Sequence, residues 1–352
     1  MHRRDAPLRG AGGGDRRFPE GARPRGRSAA SRHGKGLRGQ VTLSPGVSSL
    51  DGANVVAIGG GTGLPVVLKA VKERASTVSA VVTMADDGGS SGRLRREFGV
   101  LPPGDVRNCL VALAPEDSLA AQLFQYRFVQ GEGLVGHSVG NILITALTQM
   151  TGDFYDAIKQ AERLVGCEGN VLPSTLEAIT LHAQIADGNA ISGQWRIART
   201  SRLKKVRIEP AGAAALADTV AAIAAADLIV VGPGSLFTSI MPNLLVRGVA
   251  GALKRSSARR VFVVNVANQR GETESFAASD YLRAIGEHLG ELPFDVVVAN
   301  RDTSKLDPSV AVLLDDELDV LGPLVTAADL VDEANPLHHD PARLKAVLEG
   351  LG

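Results

Sequence analysis

A chain of 352 residues is long enough for one large or two ordinary domains, and 44% hydrophobic with 4% aromatic content predicts a sizeable, aliphatic core. The formal charge is zero, yet residues 1–40 hold eleven Lys or Arg against three acids, leaving 27 bases and 35 acids for the remainder. An acidic body argues against nucleic acid as a partner, because a polyanion demands positive surface. No apolar run reaches the length of a membrane span, and no apolar leader stands near the start, so the chain reads as cytoplasmic.

Residues 1–50 are rich in Arg, Gly, Pro and Ser without aliphatic periodicity, and read as a disordered basic extension. They could be a functional arm or an upstream start-site artefact. Residues 51–352 read as a single α/β domain with a helical insertion over about 105–166 and a hairpin patch over about 176–208. The two cysteines, Cys109 and Cys167, match no metal-ligand spacing and read as buried thiols.

The strand-like run Asn54–Ile58 enters Gly59-Gly60-Gly61-Thr62-Gly63, and helical periodicity follows from Leu64 to Lys72. A strand passing through glycines into a helix aims backbone N–H groups and a positive helix end at one point, which suits a phosphate or carboxylate. The spacing is neither the dinucleotide fingerprint nor a Walker loop, so it specifies an anion without naming it. Val78–Thr83 is a second strand, ending in Met84-Ala85-Asp86-Asp87-Gly88-Gly89-Ser90-Ser91-Gly92. A parallel crossover would set both loops at one sheet edge, where Asp86 and Asp87 could hold a ribose, a base or a magnesium ion.

Helices are expected to follow from Leu101-Pro102-Pro103-Gly104-Asp105 to about Leu113, with Asp105 as N-cap, then over 118–130, 137–150 and 153–165. Gly136-His137-Ser138-Val139-Gly140 matches the nucleophile-elbow pattern, but no buried strand precedes it, so Ser138 reads as a helix cap. Ser174 to Glu177 has capping-box spacing and could equally line the pocket. Ala178–Ala186 and Ala190–Ala198 read as a hairpin around Asp187-Gly188-Asn189, with Val206–Ile208 a third strand edging the main sheet. The doubly wound rhythm resumes with a helix over Ala213–Ala226 and a strand over Asp227–Val231. The latter enters a second glycine turn, Gly232-Pro233-Gly234-Ser235. Strands over Arg260–Val266 and Phe294–Ala299, a helix over 278–289 and a last helix capped by Asp340 beside solvated histidines complete the reading.

The strings Ile58–Gly63, Met84–Arg96, Leu101–Asn108, Gly136–Asn141, Leu172–Thr175, Gly232–Ser239 and Asn265–Thr273, in this order, resemble the YvcK-like gluconeogenesis factors of bacteria. That family shares its fold with the CofD-like 2-phospho-L-lactate transferases. The resemblance implies a Rossmann-like, doubly wound, mostly parallel sheet. It also implies a cytoplasmic regulator that binds UDP-sugars, notably UDP-N-acetylglucosamine, and links carbon metabolism to cell-wall precursors and cell shape. A regulated protein partner and a homo-oligomer are compatible with it. The transferase relatives imply the alternative, a magnesium-dependent group transfer; no catalytic residue is assigned. Combined with the residue reading, the expected ligand contacts are Gly60, Gly61, Thr62, Gly63, Gly234 and Ser235 for the phosphates. Asp86 and Asp87 are expected to hold a metal, and Asn108, His137, Asn141 and Asn268 the sugar and base.

Overall fold

A computed structural model describes residues 50–351. All but Leu50 of the basic extension expected at residues 1–50 lies outside the described residues.

The described residues form ten strands: β1 (Asn54–Gly59), β2 (Thr77–Val82), β3 (Asn170–Pro173), β4 (Thr180–Ile185), β5 (Ala190–Ser192), β6 (Leu203–Glu209), β7 (Leu228–Val231), β8 (Arg259–Val263), β9 (Val296–Asn300) and β10 (Leu324–Ala328). Twelve α-helices accompany them there: α1 (Gly63–Val71), α2 (Gly89–Phe98), α3 (Gly104–Leu113), α4 (Leu119–Gln125), α5 (Val139–Thr151), α6 (Phe154–Val165), α7 (Gln194–Ile197), α8 (Ala217–Ala224), α9 (Met241–Leu244), α10 (Val249–Arg255), α11 (Ala278–Leu289) and α12 (Pro341–Glu349).

Seven strands form one sheet in the order β10-β9-β8-β7-β1-β2-β3, and every pairing in it is parallel. Parallel strands covered on both faces should be apolar throughout, and β7 (Leu-Ile-Val-Val) and β9 (Val-Val-Val-Ala-Asn) are buried at every residue. The chain winds outward from β1 to β3, then returns to the centre at β7 and winds the other way to β10. Strands β1 and β7 are therefore neighbours at the point where the winding reverses, and a crevice opens at their carboxyl ends. This geometry places the two glycine turns side by side.

The helical insertion between β2 and β3 is present, with one change. The helix expected over 118–130 stops at Gln125, and Tyr126 to His137 is an irregular loop, where Gly131, Gly133 and Gly136 break helical periodicity. The hairpin patch is also altered. Strands β5, β4 and β6 make a separate antiparallel sheet rather than an edge of the main one. Its second strand is three residues long, because the chain turns at Gly193 and forms α7 where alternation predicts more strand. No helix follows Ser174: Thr175 Oγ1 accepts from Glu177 N at 3.1 Å, and Glu177 Oε1 accepts from Ala214 N at 2.7 Å, so the expected capping box is a loop tie instead. Cys109 is buried and Cys167 half-buried, both as free thiols, and burial raises both thiol pKa values, that of Cys167 to about 12.

Candidate functional site

Two turns make the centre of the site. The first leaves β1 and enters α1, whose N-cap residue Thr62 makes no side-chain cap. The second leaves β7 through Gly232-Pro233-Gly234-Ser235 and enters a π-helical segment, Leu236–Ile240, before α9. They touch backbone to backbone: a Cβ added to Gly63 would lie 2.2 Å from the Pro233 carbonyl oxygen, and one added to Gly234 would lie 3.6 Å from the Gly60 oxygen. Only glycine permits the first approach.

Two asparagines hold the turns in place. Asn265, just past β8, accepts from Gly234 N at 2.8 Å and donates to Gly234 O at 3.0 Å. Asn243 on α9 donates to Gly59 O and Ser239 O, both at 2.8 Å. Asp105 reaches under the first turn and accepts from the Gly61 N–H. The Gly61 and Gly234 amides are thus engaged within the protein, and an anion would meet the other amides of the two turns. The glycines make room, and their neighbours supply donors.

A cleft of about 400 Å³ runs along both turns, lined by Gly60–Gly63, Gly234 and Ser235 and also by Asn265, Asn268, Arg270 and His338. All the phosphate contacts expected from sequence therefore face one space. Asn268 lines the same cleft. Its amide donates to Phe276 O at 2.9 Å and accepts from the Tyr281 hydroxyl at 3.1 Å, so the side chain braces its own loop. The expectation of solvated histidines beside Asp340 is corrected as well. Asp340 caps α12, accepting from Ala342 N and Arg343 N at 2.8 and 3.0 Å, but His339 is buried against Val264 O at 3.0 Å. Burial lowers its pKa to about 4, so the ring is neutral.

The second half of the site lies at the end of β2. Asp86 accepts from Gly88 N at 2.9 Å, and burial raises its pKa. Asp105 is the second residue of α3 rather than its N-cap, a position taken by Pro103. A Cβ on Gly60 would lie 2.7 Å from its Oδ2, and desolvation, followed by the charge of Asp86, raises its pKa to about 7. Asp86 and Asp105 thus form the charge-coupled acidic pair. The charge of Asp87 adds to the rise of the Asp86 pKa, while Asp87 Oδ1 accepts from Trp195 N on α7 at 2.7 Å. Among the described residues no group of three or more His, Cys, Asp or Glu has the arrangement of a metal centre.

Asn108 donates to Gly61 O at 3.5 Å and accepts from Arg107 at 2.6 Å, which links the two halves. His137 and Asn141 converge on Ser90, a residue to which the sequence alone assigns no role. Ser90 Oγ lies 2.9 Å from His137 Nδ1 and 3.1 Å from Asn141 Nδ2. Desolvation lowers the His137 pKa, and Arg93 adds to the effect. Ser138 is buried and caps α5, accepting from Asn141 N at 3.3 Å. That is the cap expected, and its hydroxyl is not presented as a nucleophile.

A larger cleft, about 640 Å³, lies between α1, α3, α4 and α12 and is lined by Lys69, Lys72 and Lys345. Two of these lysines are engaged, Lys72 with Ala114 O at 2.9 Å and Lys345 with Glu73 at 2.6 Å. None of the strand-end turns reaches it.

Comparison with known proteins agrees with this architecture. The family model of the 2-phospho-L-lactate transferase CofD matches residues 55–331. The gluconeogenesis factor of Halalkalibacterium halodurans is 42% identical over 313 residues, covering 84% of this chain and 96% of that protein. The gluconeogenesis factor of Bacillus subtilis is 42% identical over 249 residues, covering 70% of this chain and 78% of that protein. A crystal structure of a Bacillus halodurans protein superposes with a TM-score of 0.80 at 41% identity, covering 85% of this chain and 99% of that one.

Proposed function

Because the chain belongs to the CofD family and its gluconeogenesis-factor branch, we propose that it binds a UDP-sugar, notably UDP-N-acetylglucosamine, as a cytoplasmic regulator of a partner in cell-wall precursor synthesis. The observation that carries this reading is the backbone contact between Gly63 and Pro233, which brings two donor-bearing turns to one cleft. A diphosphate is long enough to accept from both. Each exposed helix-end interaction with such an anion contributes about 0.3–1 kcal/mol, and a partly buried one up to about 2. The choice of UDP-sugar and the link to the cell wall rest on the resemblance.

One observation favours a second reading, magnesium-dependent group transfer. Asp86 and Asp105 are buried carboxylates with raised pKa values, and a divalent cation would relieve both burdens by favouring their ionised forms. Any transfer would then depend on charge and positioning.

Calorimetric titration with UDP-N-acetylglucosamine, UDP-glucose and GDP, with and without magnesium, followed by mass analysis of the ligand, separates the readings. Saturable binding of the UDP-sugar with its mass unchanged is expected, and uridine without the diphosphate should bind at least about tenfold more weakly, a loss of roughly 1.4 kcal/mol. Magnesium-dependent consumption of the nucleotide, lost in Asp105→Asn, would establish transfer instead. Absence of heat with all three ligands would refute both.

A further inference from the structure

The phosphate turns and the acidic pair leave one feature of the site unused, the aromatic side chain above the β2 loop. Trp195 is the single tryptophan of the chain and is 49% exposed. A tryptophan placed for packing alone buries most of its ring, whereas this one leaves about half of a large apolar surface in water. Its position is nevertheless tightly fixed. Its backbone N–H is bonded to Asp87 at 2.7 Å, and a Cβ on Gly88 would lie 2.9 Å from its Cδ1, so the loop must be glycine there for the ring to sit so close.

Arg199 lies with its guanidinium carbon 4.1 Å from the ring centroid, and its Nη1 donates to Trp195 O at 2.9 Å. The backbone of Arg199 in turn packs on Gly271, with its carbonyl carbon 3.1 Å from a Cβ built there, beside the cleft-lining Arg270. The Trp195–Arg199 unit therefore spans from the Asp87-Gly88 loop to the loop after β8. The loop after β8 lines the cleft, and the Asp87-Gly88 loop follows Asp86 beyond the end of β2. A flat, electron-rich ring with a cation on one face is a stacking surface for another flat ring.

We infer that Trp195, held by Arg199, is the stacking platform for the planar heteroaromatic base of the nucleotide whose diphosphate lies on the glycine turns. This rests on the nucleotide reading above and adds to it a residue for the base. Stacking recognises the ring face, so it contributes affinity for any base, and edge contacts elsewhere would select among bases.

Intrinsic fluorescence tests this directly, because all tryptophan emission of the full chain comes from one residue. Titration with UDP should change Trp195 emission in step with the calorimetric binding curve, and inorganic pyrophosphate should bind without changing it. Trp195→Ala should weaken UDP about tenfold while leaving pyrophosphate affinity and the melting temperature unchanged, and Trp195→Phe should restore most of the loss. If UDP binds by calorimetry while emission is unmoved and Trp195→Ala binds normally, the platform is refuted and the diphosphate site stands. If neither UDP nor pyrophosphate gives heat, the nucleotide reading fails and the platform falls with it. If UDP and pyrophosphate lose affinity equally in Trp195→Ala, the residue supports the fold of the loop and is no base platform.

Discussion

Gly63→Ala is expected to weaken nucleotide-sugar binding at least about a hundredfold and to destabilise the fold by on the order of 3 kcal/mol. Two effects compete at this position. Gly63 opens α1, where alanine is the better helix former by about 1 kcal/mol. Against that, the added Cβ would stand 2.2 Å from Pro233 O, 2.7 Å from Pro233 C and 3.1 Å from Gly234 N. All three are backbone atoms, and none can swing aside like the end of a side chain. The clash wins, and the turns must part. Asn265 and Asn243 tie each turn to its surroundings, so the parting also strains those bonds. Gly61→Ala is the informative contrast. Its φ of +62° disfavours alanine by about 1–2 kcal/mol, yet the new Cβ would meet only Ser239 Oγ, at 3.5 Å. It should lose stability and keep much of its affinity. Thermal melts paired with calorimetry on the two variants check the ordering; normal ligand affinity in Gly63→Ala would show that the contact between the turns is unimportant for binding.

The second large effect concerns pH. Glu272 is 4% exposed, behind the Pro233 turn, where it accepts from Phe237 N at 3.2 Å and from the Thr238 hydroxyl. These donors favour the carboxylate, but desolvation outweighs them and raises the pKa from 4.5 to about 7. The folded protein therefore holds a proton that the unfolded chain has released between those values. The contribution of this group to stability should fall as pH rises from about 4.5 to 7 and level off above, by on the order of 3 kcal/mol. Asp105 adds a change of the same sign over a similar window. Exposed acids with lowered pKa values, such as Asp302 and Asp307, change stability in the opposite sense at lower pH, and buried His339, lowered from 6.5 to about 4, does so over an overlapping window, so the Glu272 contribution is read as the difference between parent and variant. Glu272→Gln removes the charge and keeps an acceptor. It should be more stable than the parent at pH 8 and equal or weaker at pH 5, so that its stability relative to the parent rises between the two. Denaturant unfolding at the two pH values measures this. If Glu272→Gln is less stable than the parent at pH 8, the ionised carboxylate is favoured where it sits.

How much can be read from sequence depends on whether the signal is local. Each glycine turn is a local event, a buried strand running into a helix, and both turns form where the strings place them. Ser138 is equally legible as a cap, since its partner Asn141 N lies three residues ahead. Asp105 is not, because an acid at the start of a helix looks the same whether it caps that helix or reaches under a distant turn. Only the fold brings it to Gly61. The same holds for Asn243 and Gly59, 184 residues apart. His339 looks like a surface residue beside a cap, yet the loop before α12 folds it against Val264 O. Alternation over Ala190–Ala198 promises a strand, but Gly193 at φ +96° ends it and turns the chain into α7. Ser90 carries a weak signal, a hydroxyl in the Asp86 to Gly92 string, and no spacing in the sequence links it to His137, 47 residues on.

Amide hydrogen exchange with and without UDP-N-acetylglucosamine tests the central claim most directly, because the two turns are far apart in the chain and adjacent in space. Ligand should slow exchange together in the peptides spanning 60–64 and 233–236, with the same concentration dependence. Protection confined to one of them, or appearing instead along Lys69, Lys72 and Lys345 in the larger cleft, would contradict a diphosphate shared by the two turns.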